Sequence, residues 1–365
     1  MIMGSGKTWA IVGGGNGGQA LAGHLAILGE KVRLYASTPS KCEELNKTKQ
    51  ITLHHAVEGT GVIEFATSDM GKALDGADNI IVVLPSLYHE VTAQKMIPHL
   101  KDGQVVLLHP EASCGAIAFR NVMKKMGCTA DIVVGAASTL LYSTRIQKTG
   151  DVYIFGLKNT VPIAALPAKD NDKLKDAICG VLPWFTICGS VLETSIDNLN
   201  AMMHSGPMLL NTSRIEADPP QDYQYYLEGI TPSIGKFVEV MDLERIEIAR
   251  VLGFQQRTVR QEYIDMYECG DPSTPLYQLV KDNPGYIGIM TSKTLKTRYV
   301  MEDIPYSLVA LAALGEVCGV PTPCMNAVIT IGRAIFGEEL DEGRTAENLG
   351  IKGMSRGELL AYIMG

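Results

Sequence analysis

The stretch "TWAIVGGGNGGQALAGHLAILGEKVRLYAST", Thr8 to Thr38, decides the architecture of this chain. A short apolar run from Trp9 to Val12 enters a cluster of glycines. A helical apolar period follows at Leu21, Leu25 and Leu28, and a second alternating run spans Val32 to Tyr35. The order is strand, glycine turn, helix, strand. Gly13 permits the tight turn, Gly15 lets the backbone approach a pyrophosphate, and Gly18 lets the helix lie close to the strand. The helix N-terminus then offers N–H donors to the phosphates. A lone glycine motif is weak evidence, but this one has the flanking strands and helix that its chemistry requires. The turn Gly13, Gly14, Gly15, Asn16, Gly17, Gly18 is therefore the expected seat of a dinucleotide.

Further strand-like runs follow at 62–67, 79–85, 104–110 and 131–136, with helix-length segments between them. The economical architecture is an α/β, Rossmann-type, doubly wound parallel sheet over residues 1–186. Ligands gather at the carboxyl ends of such strands, which adds Leu84, Pro85 and Ser86 to the expected cofactor-binding residues and raises the same question for His89, whose other reading is a solvent-facing helix residue. After the second strand the sequence is "YASTPSK". Ala36 offers no carboxylate to a ribose 2′-hydroxyl, whereas Ser37, Thr38 and Lys41 have the chemistry to receive a 2′-phosphate, so NADP is slightly favoured over NAD. The alternative for these three is a solvated loop and helix cap.

The bulk properties restrict the function classes. At 365 residues the chain has room for roughly two domains. A net charge of -8 argues against nucleic acid or an anionic membrane surface as partner. The eight cysteines form no C-x-x-C pair, which leaves no zinc or redox motif and fits reduced thiols. No basic leader and no run of 18 apolar residues occurs, so the expected compartment is the cytoplasm.

From residue 187 to 365 the pattern is helical, an all-α C-terminal domain. Thr231 to Gly253 reads as one capped helix whose Glu and Arg residues form a solvated face. "IPYSLVALAALGEVCGVPTP" reads as a buried helix, compatible with a domain core or a homodimer. Within "NLNAMMHSGPMLLN", a step of about 100° per residue puts Asn200, His204 and Asn211 on one helix face. Pro207 frees a carbonyl one turn earlier, near Met203. Two readings of His204 stay open: a core imidazole bonded to a backbone carbonyl, or a proton-exchanging group. Asp303, ahead of Ile304 and Pro305, has the position of an N-cap; its functional reading is the partner that holds the His204 tautomer. Arg298 reads as a surface charge or as a grip on a substrate carboxylate.

The glycine turn together with "HSGPMLLN", "YYLEGITPSIGKFVEVMDLERIEIARVLG" and "RYVMEDIPYSLV" resembles the octopine/nopaline (opine) dehydrogenase family over nearly the whole chain. The resemblance implies His204 as the catalytic histidine, Asp303 as its carboxylate partner and Arg298 as substrate-binding, and it implies NAD(P)H-dependent joining of a 2-oxo acid such as pyruvate to the amine of an amino acid, or the reverse oxidation. Asn200 and Asn211 complete the expected substrate-binding set, with no metal. Ser205 stands where a proline often follows the histidine. Two alternatives remain: a ketopantoate or glycerol-3-phosphate type of reductase, which needs a lysine that Glu193–Asn211 lacks, and a non-catalytic NADP-binding sensor.

Overall fold

Trp9, Ala10, Ile11 and Val12 are all inaccessible to solvent, which is why this first strand can lie at the centre of a sheet covered on both faces. In the computed structural model, which describes residues 5–267 and 270–365, the strands are β1 (Thr8–Val12), β2 (Lys31–Tyr35), β3 (Gln50–His55), β4 (Gly59–Val62), β5 (Phe65–Thr67) and β6 (Asn79–Val82). They continue as β7 (Val105–Leu108), β8 (Val133–Ala137), β9 (Tyr142–Lys148), β10 (Asp151–Leu157), β11 (Val161–Leu166) and β12 (Phe185–Ile187). The main sheet has the order β12-β11-β8-β7-β6-β1-β2-β5, and every neighbouring pair is parallel except β8 with β11. The two indole-facing groups at its start are satisfied together: Trp9 Nε1 donates to the buried Glu30 carboxylate at 2.8 Å.

A second sheet, β4-β3-β10-β9, was not expected from the sequence. It is tied to the helix α1 (Asn16–Ile27), where the Asn16 side-chain oxygen accepts from Ile146 N and the Gln19 oxygen accepts from Gly150 N, each at 2.9 Å. The run expected as one strand over 62–67 divides here. Ile63 N donates to Lys49 O in the small sheet, and Glu64 N donates to Val32 O in the large one, so the backbone changes sheets between adjacent residues.

By its internal contacts the chain forms two compact units. One holds the residues through Ser195 together with Ala361–Gly365; the other is Ile196–Leu360. The second unit is helical. Its longest helix, Pro232–Leu252, starts where the Thr231 hydroxyl accepts from Ile234 N and stops at Gly253, whose φ of 97° is accessible to glycine. The charged residues of this helix are only partly a solvated face. Arg245 is fully buried, donating to Asp242 at 2.7 Å and to the carbonyls of Ile196 and Arg257, while Glu244 accepts from Cys324 N and Met325 N at the start of the helix Pro323–Phe336. A helical period cannot separate these from Glu247 and Arg250, which do pair at the surface. Among the described residues no helix is long and apolar enough to cross a membrane, and seven cysteines are free thiols; Cys269 lies outside the described residues.

Two imidazoles make the first unit acid-sensitive. Burial lowers His24 to about 4, and burial, with Lys158 adding to it, lowers His109 to about 3. Both are neutral when folded, whereas an unfolded chain protonates them near 6.5, so stability falls as pH drops below 6.5. Each should remove about 1.4 kcal/mol per pH unit between 6.5 and 4, and denaturant titrations across that range check the slope.

Candidate active site

The carboxyl ends of β6, β1 and β2 converge on the glycine turn. Val83 N donates to Val12 O at 2.8 Å and Gly13 N donates to Tyr35 O at 2.9 Å, which brings Leu84 and Ala36 to its two sides. The glycines then differ by what surrounds them. Gly13 has a φ of +136°, and a Cβ on it would lie 2.2 Å from Val83 O. A Cβ on Gly18 would lie 1.7 Å from Gly13 O, so the helix approaches the turn as closely as an absent side chain permits. Gly14 and Gly17 are likewise filled, by Ala36 at 2.5 Å and by Val83 at 2.9 Å. Around Gly15 nothing comes within 4 Å, and it is exposed at the N-terminus of α1. That open position, facing the first-turn N–H groups of a twelve-residue helix, fits a dinucleotide pyrophosphate.

The residues expected near the ribose are at least partly accessible. Ser37 and Thr38 are exposed ahead of α2 (Pro39–Thr48), Thr38 makes no side-chain cap bond, and Lys41 reaches back so that its amine donates to Gly14 O at 3.1 Å. Pro85 is half-buried and Ser86 buried in the turn after β6. His89 is not a solvent contact: it is 2 % exposed, with Nε2 3.1 Å from Leu84 O.

In the helical unit the chain brings His204 and Asp303 together. His204 Nδ1 is 2.7 Å from Asp303 Oδ2, and both side chains are buried. The N-cap reading of Asp303 does not hold, since its backbone is helical and its side chain caps nothing. Nor is His204 bonded to a carbonyl by either ring nitrogen, because Nε2 lies 2.8 Å from the Tyr226 hydroxyl. Burial holds the Asp303 carboxyl above the ordinary carboxylate range, with the His204 contact acting in the opposite direction. Against an ionised carboxylate, which only accepts, Nδ1 is the donor and Nε2 of the neutral ring accepts from Tyr226.

His204 sits on the π-helical turn Ala201–Ser205, and Asp303 immediately precedes a second one, Ile304–Leu308. Pro207 supplies no N–H, and the carbonyls left on this side, of Met203 and His204, both accept from the Tyr225 hydroxyl at 3.0 Å. Ser205, in place of a proline, donates to Ala201 O at 2.6 Å. Asn198 Nδ2 donates to Ser307 Oγ at 2.8 Å and so ties the segment ahead of the first π turn to the second.

Asn200 and Asn211 do not join His204. Asn200 is exposed, and Asn211 is buried with its amide donating to Pro207 O at 2.9 Å and Gly229 O at 3.0 Å. The expected alignment assumed 100° per residue; the wider i→i+5 turn over 201–205 changes that phase, and the helix stops at Leu210. Arg298 keeps an exposed side chain, held through Nε by the buried Glu302. The tyrosines are the residues that sequence reasoning missed. Tyr299 stacks on the His204 ring at 3.8 Å and 11°, Tyr225 meets it edge-on, and Tyr226 stacks on Tyr286 at 3.9 Å and 12°. The signal was present in the tyrosines of "YQYYLEG" and "RYVMED", next to residues already singled out.

A dinucleotide-binding sheet and a buried imidazole–carboxylate pair in one chain define an NAD(P)-dependent oxidoreductase. Residues 187–336 match the NAD/NADP octopine/nopaline dehydrogenase α-helical domain, and residues 8–110 match the N-terminus of NAD-dependent glycerol-3-phosphate dehydrogenase. The sequence is 36% identical over 351 residues to an opine dehydrogenase of Arthrobacter sp. (strain 1C), covering 96% of each chain. It is 25% identical to a tauropine dehydrogenase of Arabella iricolor, covering 90% of this chain and 91% of that one. The fold is similar to that of an octopine dehydrogenase in complex with NADH and agmatine, with a TM-score of 0.82 at 19% identity over 97% of this chain and 98% of the other. It is also similar to an NADP+-bound yersinopine dehydrogenase, with a TM-score of 0.71 at 16% identity and 98% of both chains. The chain belongs to the opine dehydrogenase family.

Gly15 and Gly18 should separate in their effects. Gly18→Ala must displace backbone and should cost stability, about 1–3 kcal/mol. Gly15→Ala meets no protein atom and should melt like the wild type while losing affinity for NAD(P)H, read by fluorescence titration of the nucleotide.

Proposed function

We propose that this enzyme reductively condenses a 2-oxo acid with the amino group of an amino acid, using NADPH in preference to NADH. The observation that carries the reading is the buried His204–Asp303 contact at 2.7 Å. An imidazole in that setting has one nitrogen committed to its carboxylate, and its other nitrogen, which meets only the Tyr226 hydroxyl, is the one suited to proton exchange. His204 takes a proton from the substrate ammonium, which frees the amine to attack the 2-oxo carbon. The attacking nitrogen passes one of its remaining protons to the alkoxide to give the carbinolamine, and His204 returns its proton to that oxygen, which leaves as water while the nitrogen lone pair forms the C=N bond. The nicotinamide, when bound, supplies hydride to the imine carbon.

Asp303 stabilises the imidazolium through Nδ1–H and fixes the ring orientation. Arg298 binds a substrate carboxylate through its Nη edge, because Glu302 already engages Nε. The preference for NADPH rests on the lack of an acid at Ala36 and on the accessible Ser37, Thr38 and Lys41 around the turn. The free thiols of the described cysteines support a reducing, cytoplasmic setting.

The test is NADPH and NADH oxidation with pyruvate plus pooled amino acids, against pyruvate alone. Oxidation should require both organic substrates and be faster with NADPH; oxidation with pyruvate alone would overturn the condensation. His204→Ala should lower kcat by about 10²–10⁴-fold. Arg298→Ala should raise KM for a substrate carrying the carboxylate more than it lowers kcat, in steady-state assays.

A further inference from the structure

Both ring nitrogens of the buried His204 are engaged, and the one not held by a carboxylate meets a phenol. Nδ1 is committed to Asp303, and Nε2 is filled by the Tyr226 hydroxyl at 2.8 Å. The face of the imidazole is covered by the parallel ring of Tyr299 at 3.8 Å, and Tyr225 stands against it at 6.2 Å. Tyr226 is not poised to swing aside. Its ring is stacked on Tyr286 at 3.9 Å, meets Tyr225 perpendicularly at 4.9 Å, and is 8 % exposed. Its hydroxyl also engages Tyr299 in a hydrogen bond. Tyr299 is only half-buried, so the sequence Asp303, His204, Tyr226, Tyr299 leads from a buried carboxylate to a partly accessible phenol.

We propose that Tyr226 is a further catalytic residue, the group that passes the proton between His204 Nε2 and the reacting oxygen or nitrogen of the substrate. The inference rests on the proton-exchange role of His204 given above. In the dehydration step the imidazolium Nε2–H bond breaks and its proton joins the Tyr226 oxygen. The original Tyr226 O–H proton moves in the same event to the carbinolamine oxygen, which departs as water. One proton leaves His204 and one reaches the substrate, and Tyr226 is a phenol before and after. The reverse exchange removes the ammonium proton. Burial raises the Tyr226 phenol well above its ordinary value, which keeps it protonated between turnovers and suits a relay that never rests as phenolate.

The alternative is that Tyr226 merely occupies Nε2 until substrate displaces it. Tyr226→Phe separates the two, because it keeps the stacked ring and removes only the oxygen. A relay should lose about 10²-fold in kcat with KM for both organic substrates little changed. A displaced occupant should leave kcat at the wild-type level or raise it, and that result would overturn the proposal. A second measurement does not depend on the variant. The proton inventory of wild-type kcat in H2O/D2O mixtures should be curved, as two protons move together, and a linear inventory would count against the relay. His204→Ala is assayed alongside. If it retains turnover, the role of His204 itself is wrong; if it is inactive while Tyr226→Phe is fully active, only the relay fails.

Discussion

A carboxylate buried in a helical core has to be matched atom for atom, and the contact between Asp303 and His204 sets that requirement for the second unit. Leaving either group without its partner would strand a desolvated polar atom, a cost of several kcal/mol for a charged one. The surrounding sequence is arranged to hold the contact. His204 lies on one π turn and Asp303 just ahead of another, and each turn contains or is followed by a proline that removes an N–H. The Met203 and His204 carbonyls are then taken by the Tyr225 hydroxyl, and the Asn198–Ser307 bond ties the segment ahead of the first turn to the second. Tyr225 is thus as much a part of the histidine's placement as Asp303 is, although it touches neither ring nitrogen.

The parts of this arrangement that were readable from the sequence are the ones fixed by local rules. The glycine turn depends on spacing within six residues, and a strand of four apolar residues declares its burial without reference to anything distant. The pairing of His204 with Asp303 was reachable because each residue is polar in an apolar context, and a buried polar group needs a partner. Asn200 and Asn211 failed for a definite reason. Angular position on a helix accumulates, so a single widened turn between 201 and 205 misplaces every residue counted across it. The charges of Asp242, Glu244 and Arg245 failed for another. Periodicity reports which face is polar, and a polar face that closes on carbonyls and helix N-termini is indistinguishable from one facing water until its partners are known. The second sheet was legible in part: "YSTRIQKTGDVYIFGL" alternates on both sides of Thr149-Gly150, the form of a hairpin.

The glycine turn shows how one motif divides its labour. Gly13 and Gly18 are determined by protein: the space a side chain would need is occupied by backbone. At Gly15 the protein makes no such demand, because the same space is empty. A glycine without steric or dihedral need at an exposed helix N-terminus is weakly explained by folding, which would tolerate alanine there and gain from it. An open position of this kind fits a ligand that approaches the backbone, and the asymmetry between neighbouring glycines is what a phosphate turn, as opposed to a merely tight one, would require.

The segment "RYVMED" can be understood in the same way. Residues four apart share a helix face, so its six positions contain two such pairs on adjacent faces. Arg298 and Glu302 form one, joined directly, with the arginine exposed and the glutamate buried. Tyr299 and Asp303 form the other, and both address His204, the tyrosine through its ring face and the aspartate through Nδ1. The order of the two adjacent acids is therefore not interchangeable. Exchanging Glu302 and Asp303 would place the longer carboxylate where 2.7 Å is already met and the shorter one where it must span a turn to reach the guanidinium. One turn of helix thereby holds the imidazole in a fixed orientation and keeps a cation beside it, with Glu302 restraining that cation by its Nε edge and leaving the fork of its two terminal nitrogens as the part suited to a carboxylate.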